Sequence, residues 1–193
     1  MITMKDIIIE GNPLLREKCE LVKIPMSEED KKTMEEMTDY IFNSIDEKKK
    51  KKYDLRPAVG IAAPQIGINK KMLVIYSYDE KGNEHFYPMV NPKLVSYSDE
   101  LTYLEGGEGC LSVTREAKGY IHRSKRVTVD TYLYYEGKLK KVTLRLKGYL
   151  AIIFQHEFDH LNGVLFVDHI NKENPFYVPS NSSPVVFKGE EEE

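Results

Sequence analysis

Gln155 to His160 reads Gln-His-Glu-Phe-Asp-His, and no other stretch restricts the fold of this chain so tightly. For His156 and His160 to act together the segment has to be a helix. Only there do residues four apart leave one face, about 6 Å apart at Cβ, where two imidazoles can share a metal ion. Glu157 lies on the same turn, placed to handle a proton of metal-activated water while staying out of the coordination sphere. The helix is expected to begin at Gly148, run to about Asn162 and stop at Gly163. Such a pair can arise by chance on a helix, but two scarce histidines bracketing a glutamate favour metal binding.

Two histidines do not hold a catalytic metal, which usually needs three protein ligands and an open position for water. A metzincin peptidase would continue as His-x-x-Gly-x-x-His; the chain follows as far as Gly163 and then has Phe166 in place of the histidine. A thermolysin-like glutamate on a following helix is missing too, because Glu173 sits in a proline-broken segment. The other donors are His85, His122, His169, Cys19 and Cys110. A lone cysteine is usually a small buried hydrophobe. Cys110 differs because Gly106, Gly107 and Gly109 precede it, letting the backbone approach a metal or aim N–H groups at a substrate. It is the candidate third ligand. His85 and His122 read as strand or loop residues, and His169 as one that packs or faces water.

The rest of the chain reads as scaffold. With 193 residues, 41% apolar and 31% charged, it suits one domain over 1–193 with a real core, the part from about 172 being an extended tail. Ile7 to Ile9 is too short for a signal-peptide core and no run approaches a membrane span, so a cytoplasmic protein is expected. A net charge of -3 argues against a general nucleic-acid binder. Ser27-Glu28-Glu29-Asp30 starts a long amphipathic helix with Met34, Met37, Ile41 and Ile45 on its core face. Lys48 to Lys52 then read as a solvated loop, with a transient ribosome contact as the alternative. Met72 to Tyr78 and His85 to Val90 form one hairpin, and Lys93 to Tyr103 forms another strand pair or a strand with a loop. Arg126 to Tyr135 and Lys140 to Leu146 form the clearest hairpin, turning at Glu136-Gly137-Lys138. The fold class expected is α+β: mostly antiparallel strands in small sheets around a central metal-binding helix, with the long N-terminal helix and an extended C-terminal tail. The acidic run Glu190 to Glu193 reads as a mobile end.

Between the first helix and the first hairpin lies Val59-Gly60-Ile61-Ala62-Ala63-Pro64-Gln65. Its small residues suit either a tightly packed turn or the close approach of a ligand. Three segments together, Gly60 to Gln65, Glu108 to Ser112 and Gln155 to His160, resemble the peptide deformylase family in order and wording. The resemblance runs from about Asp6 to Ile170. The insertion near Lys48 to Leu55 and the extended C-terminus are similar to the type 2 branch of Gram-positive bacteria. Ala58 stands where the family usually has glycine, and its methyl is expected to narrow the cleft or shift its backbone.

The resemblance implies hydrolysis of the formamide on nascent polypeptides that begin with N-formylmethionine, releasing formate. It implies Fe(II) on Cys110, His156 and His160, with Zn, Ni or Co able to take the same ligands. Glu157 would be the general base, and the Gln65 amide and Leu111 N–H would stabilise charge on the formyl oxygen. Gly60 and Gly109 would flank the peptide backbone as it pairs like an added strand. Tyr149, Ile152 and Ile153 share the His156 face of the helix and would wall the methionine pocket, although core packing also explains them. Asp159 and Arg123 are possible supports of the site. The competing readings are a metallopeptidase or other amide hydrolase acting on unformylated substrates, and an inactive module that sits on ribosomes.

Overall fold

A computed structural model describes residues 1–188, so the Glu190 to Glu193 run lies outside the described residues. Helix α1 (Glu28–Ile45) starts where the Ser27 hydroxyl accepts from the Asp30 N–H at 3.1 Å, with three acids in the first turn facing the positive end of the dipole. Met34, Met37, Tyr40 and Ile41 are fully buried, while Ile45, at the end of the same stripe, is exposed.

Lys48 to Lys52 correct the expectation of a loop, for they belong to a second helix, α2 (Glu47–Tyr53). Asp46 closes α1 and at once caps α2, its carboxylate accepting from the Lys49 N–H at 2.8 Å. Lys50, Lys51 and Lys52 stand in the last turn, where cations suit the negative end of the dipole. The capping signal was hidden because the lysines themselves carry no apolar period.

The strands follow as β1 (Gly60–Ala62), β2 (Met72–Tyr78), β3 (Glu84–Tyr97), β4 (Leu101–Tyr103), β5 (Arg123–Ser124), β6 (Arg126–Tyr135) and β7 (Lys138–Lys147). Five of them form an antiparallel sheet in the order β1-β2-β3-β6-β7. In the β6–β7 hairpin, Tyr135 faces Lys138 across Glu136 and Gly137, whose φ of 48° and 78° gives the primed turn that matches strand twist. Val127, Val129, Thr131 and Leu133 are buried along β6, on the face that alternation assigns to the core. A single long β3 replaces the expected break after Val90, accommodating register shifts between Val90 and Lys93 and between Leu94 and Ser96.

Helix α3 (Gly148–His160) packs against the sheet face opposite to α1. Met72 and Val74 of β2 point into the cluster that holds α1, and Leu73 and Ile75 into the one that holds Ala151, Ile153 and Phe154 of α3. That is why Met72 to Ile75 is an unbroken apolar run, each residue fully buried. The start of α3 has no cap from its own flank. Glu80, in the turn between β2 and β3, accepts the Tyr149 N–H at 2.8 Å instead. Gly148 has φ +55°, and a Cβ there would lie 2.6 Å from Glu80 Cδ, so a side chain would strain the backbone and displace the Glu80 cap. The helix ends at His160, short of the expected Asn162; Gly163 follows at φ +73° against the Arg16 backbone. A last strand, β8 (Ser182–Pro184), pairs parallel to β4 and gives the small sheet β5-β4-β8.

Candidate active site

The packing of α3 fixes which way its histidines face. Leu150 to Phe154 are all buried, so the helix cannot turn about its axis, and His156, Glu157 and His160 are buried with them. His156 and His160 lie with ring centroids 5.2 Å apart. Cys110 comes to them from the glycine-rich segment after β4, its Sγ 3.2 Å from His160 Nε2. Sulfur and ring nitrogens of these three buried residues all lie within 4.8 Å of one another. The arrangement fits a metal ion: one thiol and two imidazoles converge, and they are the donor types that transition metals accept.

The pocket beside this cluster measures about 360 Å³. Gly60, Gln65, Gly109, Cys110, Leu111 and Glu157 line it together with Tyr149, Ile152, Ile153 and His156. Of the candidate catalytic, metal and substrate-binding residues only His160 is not in the lining, and the possible supports Asp159 and Arg123 lie outside it. Ile152 and Ile153 are also core residues, so both readings of them hold at once. Ala58 lines the pocket as well, and its N–H donates to the fully buried Ser44 hydroxyl at 3.2 Å. β1 lies at the sheet edge, leaving its outer side without a strand partner among the described residues.

Gly60 presses against Glu157. A Cβ there would lie 2.8 Å from both Cγ and Cδ of Glu157. Nothing lies within 4 Å of the equivalent point on Gly109, and its φ is not in the left-handed region, so neither packing nor backbone requires glycine there. Gln65 is buried, with Oε1 accepting the Ala62 N–H at 2.9 Å and Nε2 donating to Ser112 Oγ at 3.2 Å and Cys110 Sγ at 3.4 Å. Both amide hydrogens are therefore engaged, the one on sulfur more weakly. The carbonyls of Cys110 and Leu111 accept from Arg56 at 3.3 and 3.4 Å.

Sequence reasoning named Arg123 and Asp159 as possible supports but missed Glu108, which stands between them and His156. Glu108 Oε2 stands 2.8 Å from His156 Nδ1, which turns Nε2 toward Cys110 and His160. Arg123 grips Glu108 through two nitrogens at 2.5 and 2.9 Å and reaches Asp159 Oδ2 with a third at 2.8 Å. His169 Nε2 meets the same oxygen at 2.8 Å. Burial pushes the Glu108 carboxyl up, but Arg123 and His156 overcome it and hold it down to about 2. The available signal was Glu108 itself, a charge inside a glycine-rich stretch two residues before a ligand. Of the histidines given no role, His85 bonds Tyr87 Oη, and His122 joins Ser182 Oγ and the Tyr177 carbonyl.

Burial pushes the Glu157 carboxyl up to about 7, with His156 opposing. Its Oε2 is buried and has no hydrogen-bond partner among the described residues. The His160 ring is lowered well below its ordinary value by burial and by His156 and Arg123, which keeps it neutral and fit to donate a lone pair.

The match with known proteins extends well beyond these residues. Residues 4–176 fit the family model described as polypeptide deformylase. The chain belongs to the polypeptide deformylase family. Peptide deformylase 2 of Bacillus cereus is 52% identical over 185 residues, 96% of this chain and 99% of that protein. A peptide deformylase of Listeria monocytogenes is 52% identical over 179 residues, 93% of this chain and 96% of its own. Among solved deformylase structures, that from Thermotoga maritima is 36% identical with a TM-score of 0.64, covering 86% of this chain and 96% of that one. The Met-Ala-Ser complex of an Acinetobacter baumannii deformylase is 29% identical with a TM-score of 0.66, covering 85% and 96%. No helix among the described residues is long and apolar enough to cross a membrane.

Proposed function

We propose that this deformylase-family chain hydrolyses the N-terminal formamide of newly made polypeptides beginning with N-formylmethionine, releasing formate and a free amine. One observation carries the reading. Glu157 offers a buried carboxylate oxygen without a hydrogen-bond partner among the described residues, beside three converging metal donors and in the lining of a pocket of about 360 Å³. The bound Met-Ala-Ser of the Acinetobacter relative is of the product class such a reaction leaves.

Cys110, His156 and His160 would hold one divalent metal ion, and Fe(II) is our choice for this thiolate-containing set, with Zn, Ni or Co fitting the same donors. When bound, the metal supplies Lewis acidity, making water a better nucleophile and the formyl carbon a better electrophile. Glu157 takes the proton of the attacking water as the new oxygen–carbon bond forms. It then delivers that proton to the nitrogen as the carbon–nitrogen bond breaks, so the carboxylate is restored. The dry surroundings that raise this carboxyl hold the proton between the two transfers. Leu111 N–H and the Gln65 amide stabilise the charge that gathers on the formyl oxygen, Gln65 releasing its weak contact with Cys110 to do so. Tyr149, Ile152 and Ile153 receive the methionine side chain, and Gly60 and Gly109 lie along the peptide backbone, which adds to the open edge of β1. Glu108, held by Arg123, keeps His156 in the tautomer whose Nε2 can bind metal.

Formate release from formyl-Met-Ala-Ser, compared with acetate release from acetyl-Met-Ala-Ser, tests the reading. Rapid turnover of the formyl peptide alone is expected. Equal turnover of both, or cleavage at internal peptide bonds, would favour a general amide hydrolase or a peptidase.

A further inference from the structure

The methionine pocket leans on the end of the chain. Tyr149, which lines it, meets Phe187 edge-on, with ring centroids 5.1 Å apart and planes at 78°. Phe187 is not itself in the lining. It arrives there because the backbone on both sides is tied down: the Val185 N–H donates to the Tyr103 carbonyl at 2.9 Å, and the Lys188 N–H to the Glu80 carbonyl at 2.9 Å. Glu80 also holds the Tyr149 N–H, so one turn residue binds both the tail and the start of α3. The same tail pairs along β4 through β8, with Thr102 Oγ1 donating to the Ser183 carbonyl at 2.9 Å. β4 runs directly into Leu104, another lining residue.

We propose that residues 181–188 are the outer support of the side-chain pocket, and that Phe187 is a positioning residue which holds Tyr149 and thereby sets the side chain accepted at the substrate N-terminus. The proposal rests on the formamide-hydrolase reading above. Tyr149 is fixed at its backbone by Glu80 and its phenol bonds to the Ser77 side chain, while Phe187 meets one flank of its ring edge-on. Removing that edge-to-face contact leaves only the Ser77 bond on the phenol, so the ring swings about it and widens the pocket. Chemistry at the metal is untouched, because Tyr149 lies two helical turns before His156.

The test compares the wild type with Phe187→Ala, Phe187→Tyr and Val186→Ala on formyl-Met-Ala-Ser and formyl-Phe-Ala-Ser. Amide hydrogen exchange over residues 149–153 is followed alongside. Phe187→Ala should raise KM for the methionine peptide roughly two- to tenfold at unchanged kcat, and should narrow the preference for methionine over phenylalanine. Exchange at the start of α3 should quicken. Phe187→Tyr keeps the ring and should restore both readouts, and Val186→Ala, at an exposed neighbour, should alter neither. An unchanged methionine preference with unchanged exchange in Phe187→Ala would overturn the proposal, as would an equal fall in kcat on both peptides. Should the wild type release no formate from either peptide, the functional reading fails, while the exchange comparison still decides whether Phe187 supports α3.

Discussion

Gly60 separates the two tasks a glycine performs at this site. Replacing it with alanine places a Cβ 2.8 Å from Cγ and Cδ of Glu157, where carbon atoms normally rest about 3.5 to 4.0 Å apart. Relief therefore needs a movement of roughly 1 Å. The strand does not move easily, since Gly60 pairs with Ile75 and the following Ile61 and Ala62 are fully buried. The backbone of α3 is clamped by Phe154 and its neighbours. The Glu157 side chain is the part that yields, and in the proposed reaction it carries the proton. A displacement of that size should lower kcat about a hundredfold. Overpacking should also cost about 1–3 kcal/mol of stability. For a chain of this length each kcal/mol is worth about 2–4 °C in Tm. The control is Gly109→Ala, whose Cβ meets nothing within 4 Å; its kcat and Tm should stay at wild-type values while KM rises as the methyl meets the peptide. Formate release and thermal melts measure all of this. A Gly60→Ala protein with kcat within threefold of wild type and an unchanged Tm would refute the steric argument.

Three other outcomes follow from the same geometry. Glu108→Gln should weaken Zn²⁺ or Co²⁺ binding 10- to 100-fold in equilibrium dialysis, because the neutral amide is a poorer partner for His156, and should lower Tm by leaving Arg123 short of a counter-charge. Cys19 is buried and its thiol is pushed up to about 11 by burial, so iodoacetamide should label it at neutral pH only after denaturation. Since its folded value lies above the reference 9.0, its contribution to stability is intact below about pH 9 and declines toward pH 11. For Asp30, burial raises the carboxyl but hydrogen bonds from Lys70 and Ser27 prevail and lower it below 3.8. That stability is present above the reference value and lost as acid titrates the folded carboxylate, so Asp30→Asn should flatten the acid limb of a pH–Tm curve.

What could be read in the sequence, and what could not, divides along covalent proximity. The pairing of His156 with His160, the β6–β7 turn and the buried stripe of α1 are written in periods of four, two and three to four residues, and local geometry converts each directly into structure. Lys48 to Lys52 misled because a helix can rest on its caps and dipole alone, without an apolar face. Glu80 was invisible for the opposite reason: it caps α3 from a turn 69 residues away, and no local pattern marks a carboxylate that will serve another element. Arg123 and Asp159 noted as possible supports gained their meaning only when folding brought Glu108 between Arg123 and His156.

That grouping carries an electrostatic consequence for the centre as a whole. Glu108 and Asp159 place two carboxylates around one guanidinium, with Glu108 and Arg123 themselves almost wholly enclosed, and a metal-bound Cys110 thiolate with an ionised Glu157 would bring the negative charges to four. In a medium of low polarity an excess of that size is costly, and bulk counter-ions cannot screen it. A divalent cation among Cys110, His156 and His160 removes most of the excess, and one proton on Glu157 removes the rest. The Glu108–Arg123 pair therefore does more than orient a ring. By neutralising its own carboxylate with a fixed guanidinium, the chain lets Glu108 bind His156 without adding further to the charge that a bound metal and Glu157 would share.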